Sequence, residues 1–116
     1  MSLASLIDEL NPQQKQAATT GSKHSLVLAG AGCGKTKTIV ARAAYLIDQG
    51  VPANQIQILT FTRRSASEIV ARVELALGDQ AKGLRASTLH TFCMYLLRRI
   101  PQAFGVEQFS IIDRDD

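Results

Sequence analysis

Eight residues constrain this chain more than any others: Ala29-Gly30-Ala31-Gly32-Cys33-Gly34-Lys35-Thr36. Six small residues in a row favour a sharp, close-packed turn, because glycine reaches backbone angles closed to other residues. Residues 25–29, Ser-Leu-Val-Leu-Ala, form a short unbroken apolar run before it, as expected of a strand buried on both faces. Residues 35–49 then carry helical periodicity, with Ile39, Ala43, Leu46 and Ile47 on one face and Gly50 as a stop. Strand, glycine turn, then helix is the context a phosphate-binding loop requires.

The chemistry follows from the residue types. Small residues let successive backbone N–H groups converge on phosphate oxygens, and a helix N-terminus adds positive potential. Lys35 brings an ammonium to the β- and γ-phosphates, and the Thr36 hydroxyl suits Mg²⁺. These are the two candidate catalytic residues. Ala29 stands where the strict pattern has glycine. The plainer alternative is a flexible turn that happens to contain Gly-Lys-Thr, and the flanking strand and helix argue against it. Cys33 has two readings: a residue small enough for the loop, or a thiol activated by a helix N-terminus and a lysine.

The remaining pattern alternates helix and strand. Asn11-Pro12 reads as an N-cap and first helical residue, opening a helix over 13–19 that Gly21 ends. A second strand is expected over 55–61 and a helix over 65–77, with Ile69, Val70, Val73 and Leu77 inward. A third strand is expected over 85–89, a third amphipathic helix over 91–100 stopped by Pro101, and a short extended piece over 109–112. Strands separated by helices imply a parallel α/β sheet. Three strands are few for that architecture, and the run Asp113-Arg114-Asp115-Asp116 resembles a helix start, so the expectation is a truncated domain.

Composition excludes several classes. Of the 116 residues, 46% are hydrophobic and 20% charged, which is ordinary globular composition and not that of a disordered chain. No apolar run approaches the roughly 20 residues of a membrane span, and no secretory signal opens the chain. The net charge of +3 is compatible with a polyanionic partner without requiring one. The two cysteines have neither metal-site nor disulfide spacing, which fits a reducing, cytoplasmic setting. Met1, Ser2 and Leu3 are given no weight, and residues 1–9 are read as an N-terminal extension.

Three further stretches accompany the loop. They are Leu10-Asn11-Pro12-Gln13-Gln14-Lys15-Gln16-Ala17, then Leu59-Thr60-Phe61-Thr62-Arg63-Arg64-Ser65-Ala66-Ser67-Glu68-Ile69, then Ser87-Thr88-Leu89-His90-Thr91-Phe92. In this order and spacing the set resembles the UvrD/Rep family of superfamily 1 DNA helicases: its Q motif, motif I, motif Ia and motif Ib. The resemblance covers residues 10–116. It implies the N-terminal part of a RecA-like, P-loop NTPase motor domain, a parallel sheet flanked by helices, running into the start of an inserted helical subdomain. It also implies ATP and Mg²⁺ as cofactors, and single-stranded DNA and single-strand/duplex junctions as partners of the parent.

The resemblance assigns roles by position. Gln14 matches the glutamine that reads adenine, a task suited to an amide that donates and accepts together; the alternative is a capping box with Asn11. Lys37 stands where the family usually carries an arginine near the adenine. Thr60, Phe61 and Thr62 match the stretch that touches single-stranded DNA. There Phe61 could stack on any base, or be ordinary core. Arg63 and Arg64 stand where the family more often has Asn-Lys, with phosphate contact or a solvated helix start as the two readings. Thr88 and His90 match motif Ib, near the DNA backbone. Arg98 and Arg99 read as a solvated face.

A family motor uses two RecA-like lobes with ATP between them, translocating 3′ to 5′. The acidic magnesium motif, the arginine fingers and the second lobe are expected beyond this segment. The chain alone is therefore expected to hydrolyse ATP negligibly and to self-associate through uncovered apolar surface. Alternatives are a helicase–nuclease motor subunit, a P-loop switch with no DNA role, and a degenerate scaffold.

Overall fold

The computed structural model describes residues 2–28 and 34–105. The loop residues Ala29, Gly30, Ala31, Gly32 and Cys33, and the expected extended piece over 109–112, lie outside them.

Local sequence signals set most helix starts. Helix α1 (Leu3–Asp8) is capped by the Ser2 hydroxyl, which accepts from the Ser5 amide. Helix α2 (Pro12–Thr19) opens on a full capping box. The Gln14 amide donates to Asn11 Oδ1 at 2.9 Å, and Gln14 Oε1 accepts from the Asn11 amide at 2.9 Å. Helix α3 (Lys35–Asp48) follows Gly34. A 3₁₀ turn (Ala53–Gln55) leads into strand β1 (Gln57–Thr60). Helix α4 (Arg63–Leu77) is capped by Thr62, and after strand β2 (Arg85–Thr88) helix α5 (Leu89–Arg99) is capped by Thr88.

Strands β1 and β2 pair in parallel, in the register Gln57 with Arg85 through Thr60 with Thr88. Parallel neighbours need a crossover, and α4 provides it, packing against both strands. Helix α3 is the hub, in contact with α1, α2 and α4. Its alanines 41, 43 and 44 are buried, and small residues let three helices approach one axis. Val40, Ile69 and Val73 are the largest fully buried side chains, joined in one core by Leu6, Leu10, Ala18, Ile47, Ile58 and Leu84. Among the described residues, no helix is long and apolar enough to cross a membrane.

Three expectations need correction. Residues 25–28 form no strand; Leu26 and Leu28 are 86% and 87% exposed, the reverse of a doubly buried run. A strand exists only where a neighbour takes its backbone hydrogen bonds. Strands β1 and β2 pair with each other, and the sheet contains only these two among the described residues. The buried row of α3 is Val40, Ala43, Ala44 and Ile47, while Ile39 is exposed and Leu46 half-buried. Three neighbours surround this helix, so burial follows their placement and not the largest apolar stripe. Finally, the N-terminal residues do contribute to the fold: Leu6 of α1 is buried and Leu3 packs against the core.

Candidate functional site

The first cluster lies where α2 meets the start of α3. Gly34 is the N-cap of α3 and adopts left-handed angles, φ 74° and ψ 32°. A Cβ placed there would come within 2.5 Å of Gln14 Nε2. Glycine is therefore demanded twice, by the backbone and by the approach of the Gln14 amide. The capping box and this approach use different ends of one side chain. Oε1 faces the Asn11 amide and Nε2 faces Gly34. The capping-box reading of Gln14 is therefore realised, and the same side chain lies beside the start of α3.

Helix α3 differs from its neighbours in its opening. Helices α1, α2, α4 and α5 each have a side-chain cap, whereas Gly34 supplies none. The first-turn amides of a helix have no partner inside it, and here no side chain at the cap competes for them. Lys35 and Thr36 sit exposed on that turn. An uncapped, positively polarised helix start with an ammonium and a hydroxyl fits a Mg²⁺-bound phosphate chain. The space a Gly34 Cβ would enter is taken by Gln14, so the glycine serves the approach of that side chain.

Lys35 also lines a cleft of about 420 Å³ with Thr20, Thr38 and Arg42. Lys37, two residues on, points elsewhere and lines a separate cleft of about 320 Å³ with Glu9, Val40 and Arg72. Helical geometry turns residues two apart by about 200°, so the two lysines do not share a cleft. Arg42 was not marked by any motif. Its Nη1 donates to the carbonyl oxygens of Thr20 at 2.6 Å and Ala18 at 3.3 Å.

The second cluster lies at the carboxyl ends of the strands, the customary ligand edge of an open α/β sheet. The register pairs Thr60 with Thr88 there. Phe61 is 102% exposed, so it is not core. Thr60 Oγ1 donates to the Thr62 carbonyl at 2.8 Å and fixes the bend after β1. The hydroxyls of Thr62 and Thr88 accept from the Ser65 and Thr91 amides, both at 3.1 Å, so each holds a helix start. Arg63, Arg64 and His90 are exposed beside them. Arg98 and Arg99 are exposed in the last turn of α5, as read from sequence. Arg85 is a second residue that motif reasoning missed. It stacks 5.5 Å from the Tyr95 ring centroid and donates to Tyr95 Oη and the Asn54 carbonyl, tying α5 to the start of β2.

Both clusters carry the stretches that the sequence singled out. The family model of the UvrD/REP helicase N-terminal domain matches residues 10–116. The chain belongs to the UvrD/REP helicase family. Among its relatives are proteins named ATP-dependent DNA helicase PcrA. The one from Staphylococcus epidermidis is 40% identical over 113 residues, covering 96% of this chain and 16% of the relative. The one from Staphylococcus aureus strain Mu50 is 39% identical with the same coverage. This UvrD/REP segment thus spans about 16% of the length of those relatives. The stretch over residues 10–17 meets the start of α3 at Gln14 and Gly34, and the stretches over 59–69 and 87–92 meet at Thr60 and Thr88.

Proposed function

We propose that this chain is the ATP-binding segment of an ATP-dependent DNA helicase, the opening part of a P-loop, RecA-like motor domain. Residues 29–36 cradle the phosphates, with Lys35 on the β- and γ-phosphates and Thr36 toward Mg²⁺. Gln14 reads the adenine edge. Bound Mg-ATP would supply the free energy for stepping, and this segment's residues bind, orient and report on it. Lys37 is assigned to the adenine side by resemblance alone.

Thr60, Phe61, Thr62, Arg63, Thr88 and His90 form one edge of a single-stranded DNA track. Phe61 would stack without selecting a base, as a motor moving over any sequence requires. Thr62 and Thr88 would act by holding the helix starts that aim their neighbours. The parent translocates 3′ to 5′ and opens duplex at single-strand junctions. The segment alone turns over ATP negligibly, because positioning and charge stabilisation in phosphoryl transfer need groups from more of the motor.

The observation that carries the reading is the approach of Gln14 Nε2 to Gly34 beside the uncapped start of α3. It brings the residue assigned to the base beside the helix start assigned to the phosphates. Titration calorimetry with Mg-ATP on the chain and on Lys35→Ala tests it. Saturable binding that the variant loses is expected. Equal binding by both proteins would overturn the phosphate-loop assignment.

A further inference from the structure

Arg42 lies seven residues after Lys35, about two turns further along the same stripe of α3. Its guanidinium reaches out of α3 to the far end of α2. The carbonyls it binds belong to Ala18, in the last turn, and Thr20, the C-cap. Carbonyls at a helix end have no partner within the helix and carry partial negative charge. A guanidinium is therefore a strong partner for them, and the last turn of α2 holds no basic residue of its own.

The other end of α2 meets α3 at Gln14 and Gly34. The two helices thus lie side by side with their N-terminal ends together. The capping box sets the Gln14 side chain relative to α2. It does nothing to set α2 relative to α3. The buried apolar contact of α2 is Ala18, a methyl group with little directional preference. The Arg42 hydrogen bonds are directional, and α2 is only eight residues long. A shift at its C-terminal end therefore tilts the whole helix and moves Gln14.

We propose that Arg42 is a positioning residue for nucleotide recognition: by tying the C-terminal end of α2 to α3, it holds Gln14 in register with the phosphate-binding start of α3. This rests on the nucleotide reading above. Both Arg42 hydrogen bonds go to α2, and through them it decides whether base and phosphate are read at one spacing.

The test compares the unmodified chain with Gln14→Ala, Arg42→Met, Arg42→Lys and the Gln14→Ala/Arg42→Met double variant. Calorimetry measures Mg²⁺ complexes of ATP, GTP and inorganic tripolyphosphate, and thermal melting checks the fold. Arg42→Met is expected to weaken ATP about tenfold while leaving tripolyphosphate within about twofold, the scale of one lost charge-assisted hydrogen bond. The preference for ATP over GTP should fall as it does in Gln14→Ala, and the double variant should be no worse than either single one. Arg42→Lys keeps the charge without the planar fork and should lie between; it carries the comparison if Arg42→Met fails to fold. Equal weakening of ATP and tripolyphosphate, or a lowered melting point with the base preference intact, would overturn the proposal. Base preference surviving Gln14→Ala would instead overturn the base-reading role of Gln14. Absence of ATP binding by the unmodified chain would overturn nucleotide recognition by this segment, and the Arg42 proposal with it.

Discussion

Thr60 lies opposite Thr88 in the parallel register, so the last residues of β1 and β2 end side by side. They are 28 positions apart in sequence and belong to stretches with no local connection. Each strand then turns directly into a helix held by a threonine hydroxyl, Thr62 for α4 and Thr88 for α5. The outcome is one edge that presents Phe61, Arg63, Arg64 and His90 to solvent.

Phe61 has nothing to pack against and should be replaceable without harm to the fold. Phe61→Ala is expected to change unfolding free energy by less than about 0.5 kcal/mol. It should weaken binding of oligothymidine by about 1–3 kcal/mol, the range for a lost base stack. Fluorescence anisotropy measures the second effect, and unchanged affinity would remove Phe61 from the DNA track.

Thr62 and Thr88 should each behave as helix caps. Replacement by Ala is expected to cost about 1 kcal/mol in urea denaturation, while Ser recovers most of it. If Ser were as damaging as Ala, the threonine methyl and not the hydroxyl would be the stabilising group.

Gly34 and Gly105 have similar left-handed angles, φ 74° and 68°. Only Gly34 has a neighbour that a Cβ would strike. Both Ala variants should lose about 1–2 kcal/mol from backbone strain. Gly34→Ala alone should also abolish ATP binding, since it displaces Gln14. Calorimetry showing normal ATP affinity in Gly34→Ala would dissociate that contact from recognition.

The exposed Leu26 and Leu28 offer apolar surface. Concentration-dependent association is expected in sedimentation velocity, and Leu26→Lys with Leu28→Lys should reduce it. Association unaffected by both changes would place the contact on another surface.

Much of the local structure was legible from neighbours in sequence. Asn11-Pro12 with Gln14 announced a capping box, and Gly34-Lys35-Thr36 marked the start of α3. The inward residues of α4, Ile69 and Val73, also followed from helical period. Each signal depends on residues within about four positions, where backbone geometry alone sets the contacts. The motif stretches could be picked out for the same reason, since each is contiguous.

What the tertiary structure alone decided has a different physical origin. The exposure of residues 25–28, the buried row of α3 and the docking of α1 depend on which partners arrive from elsewhere in the chain. Arg42 and Arg85 look like surface charges in sequence, because their acceptors on Thr20 and Asn54 lie 22 and 31 positions away. The sequence by itself determined where helices begin and which residues could meet a phosphate chain. Only the packed chain decided that Gln14 stands over Gly34 and that Thr60 stands beside Thr88. Those are distances between elements, and distances between elements come from packing.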